Sequence, residues 1–218
     1  MKEIARVAAP PPADALCNRI IGAAFETIMK KGFQATSMLD VATRARVSKR
    51  DLYANFPSKQ AVLAACITSR AARMRLSPDL PAPTSRATLA AALTAFGATV
   101  LREVCQPPVM AMYRLAIAEA ERSPEVAEAM NASRLQSRAA LGEMLVRAQV
   151  CGLLGEVEPQ HMTEQFFALL WGDLLLNRLL GVAGVPKPAE IDRRARKATE
   201  EFLGLYAKAT SNGRRVAT

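Results

Sequence analysis

The chain has 218 residues, half of them hydrophobic and 5% aromatic, with a formal net charge of +9. That length suits one large helical domain or a small domain joined to a larger one, and a composition rich in alanine, leucine and arginine argues for packed helices and against sandwiches or disordered tails. The charge is unevenly placed: residues 1–76 hold 13 lysines and arginines against 5 acidic residues, and the remainder hold 16 against 15. A basic first third ahead of a near-neutral body suggests a polyanion-binding head, while charge alone is equally consistent with a solvated basic face that has no partner.

Met1 to Ala13 is interrupted by Glu3, Arg6 and three prolines, so it reads as a mobile arm and not as a secretory leader. From Leu16 to Lys31 the apolar residues Leu16, Ile20, Ala23, Ala24, Ile28 and Met29 recur at helical spacing, and Gly32 supplies a stop. Two short helices follow, about Ser37 to Ala45 and about Ser48 to Asn55. Each opens on a capping pair, Ser37 with Asp40 and Ser48 with Asp51. Pro57 and Ser58 introduce a fourth helix, which carries Ala61, Val62, Ala65 and Ile67 into the mid-seventies.

Ser77 to Ser85, with Pro78, Pro81 and Pro83, breaks any helix and is the candidate linker. Five more helices are expected beyond it: Arg86 to Val104, Pro107 to about Arg122, Pro124 to about Gln149, Pro159 to Gly181, and Pro186 or Pro188 to about Lys208. Ser123, Pro124 and Glu125 form a strong start signal for the third of these. The expected fold is therefore all-α, an N-terminal three-helix unit followed by a C-terminal helical bundle. The divisions are an arm at 1–13, a helix-turn-helix domain at 14–60, a connecting helix at 61–76, a linker at 77–85, a ligand-binding and dimerisation domain at 86–210 and a tail at 211–218.

In a helix-turn-helix the first helix crosses the phosphate backbone and the second presents its N-terminal residues to base edges in the major groove. Met38, Leu39, Val41, Ala42, Val47, Leu52 and Phe56 are expected to face inward. Thr36, Ser37, Arg44, Arg46, Lys49, Arg50, Tyr53 and Asn55 are left outward, and these are the residue types that phosphates and base edges require. Singly, each is more often a solvated surface residue than a DNA contact. Their placement on one short motif changes the odds.

The run from Gly32 to Leu63, GFQATSMLDVATRARVSKRDLYANFPSKQAVL, resembles the DNA-binding domain of the TetR family of bacterial transcriptional regulators. Gly32-Phe33, Thr36-Ser37, Val47-Ser48-Lys49, Leu52-Tyr53 and Phe56-Pro57-Ser58-Lys59 all fall in register. Ala118 to Arg122 before Ser123-Pro124-Glu125 is similar to the ligand-binding half of AefR-like members. The resemblance implies a homodimer with a four-helix interface, a palindromic double-stranded DNA operator, and a pocket for a small apolar effector. By position it implies phosphate contacts from Thr36, Ser37, Tyr53 and Lys59 and base-edge positions for Lys49, Arg50 and Asn55. With Arg46 in the turn and Ser48 at the head of the second helix, these complete the DNA-binding set. Arg46 and Arg50 stand where the family often has glycine, so Arg46 must adopt a left-handed conformation or mark a different turn.

In the body, Phe96, Met112, Tyr113, Met144, Phe167 and Trp171 are candidate pocket residues for which ordinary core packing is the competing reading. Leu170, Leu174, Leu175 and Leu179 are candidates for a partner-facing surface. Cys17, Cys66, Cys105 and Cys151 stand singly and read as apolar residues of a reducing cytoplasm, and His161 reads as solvated, so neither a metal nor a cofactor is expected. Phe166 to Val185 is apolar enough to suggest a membrane span, but Asp173, Asn177 and Arg178 argue for a buried or interface helix. With no nucleotide-binding or hydrolase motif, the expectation is a cytoplasmic repressor and not an enzyme. The alternatives are a small-molecule-binding or enzymatic helical bundle with an incidental basic head, and an architectural DNA binder without a ligand.

Overall fold

The computed structural model describes residues 12–73 and 83–206. The expectations for the first eleven residues, for most of the linker and for the tail lie outside them. Ten helices and no strand are found among the described residues. They are α1 (Pro12–Lys31), α2 (Met38–Ala45), α3 (Lys49–Asn55), α4 (Lys59–Arg73), α5 (Arg86–Val104), α6 (Pro107–Glu119), α7 (Pro124–Val150), α8 (Pro159–Trp171), α9 (Leu174–Leu180) and α10 (Pro188–Tyr206).

The described residues fall into two compact units, one from 12–73 with 111–133 and the other from 83–110 with 134–206. This differs from the division read from sequence, because the second half of α6 and the start of α7 pack with the N-terminal helices. The first unit closes over Ile20, Ala24, Ile28, Phe33, Val41, Leu52, Val62 and Leu63, joined by Met112, Ala116 and Val126. Gln34 Nε2 donates to Glu119 Oε1 at 2.8 Å, which satisfies a carboxylate that is otherwise buried.

Gly32 ends α1 with φ +82°, and its N–H reaches the Ile28 carbonyl at 2.8 Å. Two ion pairs tie α1 to α2, Lys31 with Asp40 at 2.7 Å and Arg44 with Glu26. Leu39, expected inward, is 65% exposed. The buried arc of α2 is centred on Val41, Ala42 and Ala45, and at about 100° per residue Leu39 falls roughly 115° from that centre.

The second unit is built on α5, α7, α8 and α10. Leu89, Leu93, Phe96, Leu141, Met144, Met162, Phe166, Leu170 and Phe202 are each 2% exposed or less. Burying one such large side chain contributes roughly 1.5–3 kcal/mol. Phe166 stands edge-on to Phe202 with centroids 5.5 Å apart, and tilted to Phe96 at 6.0 Å. Gly97 lets α5 approach α8, since a Cβ there would lie 3.0 Å from Leu170 Cδ1.

Six helices follow residue 85 in place of the five expected, because the segment 159–181 is broken. Gly172 adopts φ 42°, ψ −130°, a conformation L side chains rarely reach, and α8 ends there. Arg178 of α9 is nearly buried and donates to the Cys105 carbonyl at 3.0 Å and the Ala183 carbonyl at 2.8 Å. It therefore fastens α9 to the end of α5. Leu170 is fully buried and Leu174 packs partly against the same core, so they do not form an outward leucine face. Leu176 and Leu180 are the exposed leucines of α9. Neither α8 nor α9 is long enough to span a bilayer. Among the described residues α5 alone has that length and apolarity, and its Leu89, Leu93, Phe96 and Leu101 lie in the core.

Candidate nucleic-acid interface

The two short helices are set by local hydrogen bonding. Ser37 caps α2 in extended conformation, its Oγ accepting from the Asp40 N–H at 3.1 Å, while the Asp40 carboxylate accepts from the Ser37 N–H at 2.9 Å. The Lys31 ammonium, followed by the Ser37 N–H and hydroxyl, holds the Asp40 carboxyl well below the usual carboxylate range. Ser48 caps α3 in the same manner, accepting from the Asp51 N–H at 3.0 Å and donating to its carboxylate at 2.6 Å.

Between the helices the chain turns on Arg46, at φ 53°, ψ 51° the one non-glycine residue with positive φ among those described. The Arg46 N–H reaches the Thr43 carbonyl at 3.2 Å and the Val47 N–H reaches that of Ala42 at 3.0 Å, which is a Schellman closure. Of the two possibilities left open by the arginine at this position, the left-handed one holds.

Leu52 is fully buried and fixes the rotation of α3. Lys49, Arg50 and Tyr53 then share an exposed arc of about 100°. Lys49 Nζ lies 5.9 Å from the centroid of the Tyr53 ring. Neither the Arg46 nor the Arg50 guanidinium makes a hydrogen bond or ion pair among the described residues, whereas that of Arg44 is spent on Glu26. The exposed set is thus two guanidiniums, an ammonium and a phenol around one short helix. Leu39 and Thr43 are exposed beside it on α2.

Five other residues of the sequence-derived set are engaged within the chain. Thr36, expected outward, is 2% exposed and its hydroxyl donates to the Gly32 carbonyl at 2.7 Å, so it closes the α1–α2 loop. The hydroxyls of Ser37 and Ser48 serve the caps. Asn55 lies on the flank of α3 away from Lys49, with Nδ2 donating to the Asp51 carbonyl at 2.8 Å and Oδ1 accepting from Cys17 Sγ at 3.3 Å. Lys59 Nζ donates to the Phe33 carbonyl at 2.9 Å and sits 4.4 Å from the Phe33 ring centroid, bracing the loop that presents α2.

Of the candidate pocket residues, Phe96 and Phe167 meet edge-on with ring centroids 6.0 Å apart. Phe96, Met144 and Phe167 are core side chains of the second unit, and Trp171 packs half-buried against them. Met112 is a core residue of the first unit, to which Tyr113 also belongs. The second unit does carry clefts of about 580 Å³ between α5 and α10 and about 610 Å³ between α7 and α8, and none of the six lines either one.

Comparison with known proteins finds matches to both parts of the chain. A model of the TetR family of bacterial regulatory proteins matches residues 20–66, and one of the AefR-like transcriptional repressor C-terminal domain matches residues 91–208. The uncharacterized HTH-type transcriptional regulator YvkB of Bacillus subtilis (strain 168) is 35% identical over 51 residues, which is 23% of this chain and 27% of that relative's length. Among solved structures, a TetR-family regulator from Mesorhizobium loti MAFF303099 shares the fold at TM-score 0.79 and 21% identity, covering 91% of this chain and all of that one. The flavonoid-responsive regulator FrrA superposes at TM-score 0.73 with 29% identity, over 90% of this chain and 100% of its own. A TetR regulator from Agrobacterium tumefaciens does so at 0.74 with 25% identity, over 91% and 96%. With family models spanning both the helix-turn-helix and most of the helices beyond it, the chain belongs to the TetR family of DNA-binding bacterial transcriptional regulators, with an AefR-like C-terminal domain.

Proposed function

We propose that the protein is a cytoplasmic repressor that binds a palindromic operator as a homodimer and releases it when a small effector occupies the body. The observation that carries the DNA contact is the α3 surface. Arg46, Lys49, Arg50 and Tyr53 are exposed on a motif whose own capping and bracing groups are already satisfied. Guanidinium and ammonium groups donate to the O6 and N7 acceptors of guanine, so Arg50 and Lys49 are assigned to bases, and Arg46 and Tyr53 to phosphates.

Two-fold symmetry would set recognition helices into successive major grooves about 34–36 Å apart. Exposed Leu176, Leu180, Val182 and Val185, which follow the Gly172 break, and Leu205 of α10 supply apolar surface for the partner subunit. The effector need only bind more tightly to a conformation in which that spacing is lost. The relative described as flavonoid-responsive suggests an aromatic effector class for this chain as well.

Selection from a random duplex pool at near-physiological salt, with excess competitor DNA, tests the proposal. Recovery of one palindromic sequence is expected, and Arg50→Ala should change the preferred bases more than the overall affinity. Salt-sensitive binding without sequence preference would instead favour an architectural DNA binder.

A further inference from the structure

The cleft between α5 and α10 holds a buried hydroxyl without a partner. Thr199 of α10 is 2% exposed, and its Oγ1 makes no hydrogen bond among the described residues. Threonines of three other helices behave differently. The hydroxyls of Thr27, Thr68 and Thr163 each donate to the carbonyl four residues back, at 2.7, 3.1 and 2.8 Å. The Ala195 carbonyl stands at the same spacing from Thr199 and is not used. A buried hydroxyl ordinarily has a partner, because one left without loses its hydration and gains nothing in return.

The two helices run antiparallel. Arg102 pairs with Asp192 at 3.9 Å, and a Cβ at Gly97 would lie 3.5 Å from that of Ala195, so Thr199 falls level with Thr94, and Leu203 with Ala90. Thr199 and Leu203 line the cleft from α10, opposite Ala91, Thr94, Ala95 and Ala98 of α5. Its volume of about 580 Å³ lies within the ordinary range of small-molecule sites. The lining from Ala90 to Arg102 runs along about 18 Å of helix, so the cleft is elongated.

The charges at its rim balance, Arg102 and Arg196 against Asp192 and Glu200, and all four are exposed. None of the lining residues is aromatic. The cleft therefore presents neither a net charge for an ion nor a platform for a planar ring. It presents methyl groups and one hydroxyl in want of a partner. The Oγ1 and the methyl of Thr199 branch from one carbon, so a single χ1 step decides which of them meets an occupant.

We propose that this cleft binds a neutral aliphatic molecule with one hydrogen-bonding head, of the medium-chain alcohol or primary amide class. The head bonds Thr199 Oγ1 and the chain lies over the alanines of α5. The proposal goes beyond the regulator reading and does not rest on it.

Calorimetry on the free full-length protein with 1-octanol and octanoate tests the site without any DNA. The alcohol should bind at one per subunit and at least tenfold more tightly than the carboxylate, which would have to shed its hydration against a neutral cleft. Thr199→Val should weaken 1-octanol binding about tenfold by removing the one hydrogen bond to the head. The same variant should be at least as stable as the native protein towards denaturant, because the lost hydroxyl bonds nothing in the free state. Weaker binding without lower stability is a combination that a purely structural threonine would not give.

Ala95 is exposed, so Ala95→Leu should fill the cleft and abolish 1-octanol binding without lowering Tm. No binding of 1-octanol, octanoate bound equally or more tightly, or 1-octanol affinity unchanged in either variant overturns the site. A Thr199→Val protein less stable than the native one reveals a hydroxyl that is already bonded, and overturns it as well.

Discussion

Replacing Arg46 by glycine should move two properties in opposite directions. The turn residue sits at φ 53°, ψ 51°, where an L side chain costs about 1–2 kcal/mol and glycine costs nothing. Glycine also loosens the unfolded chain, which takes back about 0.4–1 kcal/mol. Arg46→Gly is therefore expected to stabilise the free protein by about 0.5–1 kcal/mol, or roughly 1–4 °C in Tm. The guanidinium has no partner among the described residues, so its loss removes no contact seen within them. On DNA the same change would delete the one phosphate contact per subunit proposed for Arg46. Affinity should fall roughly fivefold per contact if each contributes about 1 kcal/mol, and the slope of log K against log salt should shrink by about 0.9 for each. Denaturant unfolding of the free protein gives the first quantity. Fluorescence anisotropy on the selected duplex across about 50–200 mM salt gives the second. A less stable variant would refute the strain argument, and unchanged affinity with an unchanged slope would refute the phosphate contact.

Lys59→Met removes the ammonium from the Phe33 carbonyl and should cost about 1–2 kcal/mol of stability with the salt slope unchanged; a slope smaller by about 0.9 would return Lys59 to the phosphate-contacting set. Burial pushes the Cys66 thiol from 9.0 up to about 12 while Cys151 is exposed, so alkylation of the native protein near pH 8 should label Cys151 and spare Cys66. Because the folded value is the higher one, the Cys66 contribution to stability is complete below pH 9 and is lost as pH rises from there towards 12, which denaturation at a series of alkaline pH values would detect. Phe166→Ala opens a cavity between Phe96 and Phe202 and should cost about 3–5 kcal/mol of unfolding free energy in the second unit; a loss below about 1 kcal/mol would mean that this aromatic cluster is not the core.

The elements most legible in the sequence are those whose determinants lie within one turn of each other. Ser37 with Asp40 and Ser48 with Asp51 mark helix starts because a hydroxyl reaches the amide three residues on whatever else surrounds it. Arg86 to Val104 was readable for a similar reason, its ends being set by a capping serine before it and the Pro107-Pro108 start after it. The exposed arc of Lys49, Arg50 and Tyr53 follows from Leu52 being buried, and one apolar residue at helical spacing is enough to orient so short a helix.

What the sequence left open were questions of partner, and partners come from elsewhere in the fold. Thr36, Asn55 and Lys59 carry the chemistry of DNA contacts, yet their polar atoms are taken by Gly32, by Asp51 and Cys17, and by Phe33. Met112, Phe96 and Phe167 have the same apolar character, and only tertiary packing put the first in one core and the other two in another. The break at Gly172 needed a backbone conformation that the surrounding hydrophobic run conceals. The cleft at Thr199 needed α10 to lie along the alanine face of α5. Spacing along the chain by itself determined most of the helices, the all-α class and the exposed arc of α3, because a helix satisfies its backbone locally. Only the tertiary structure decided which polar and apolar groups remain free to meet a ligand, because burial and pairing depend on residues far apart in sequence.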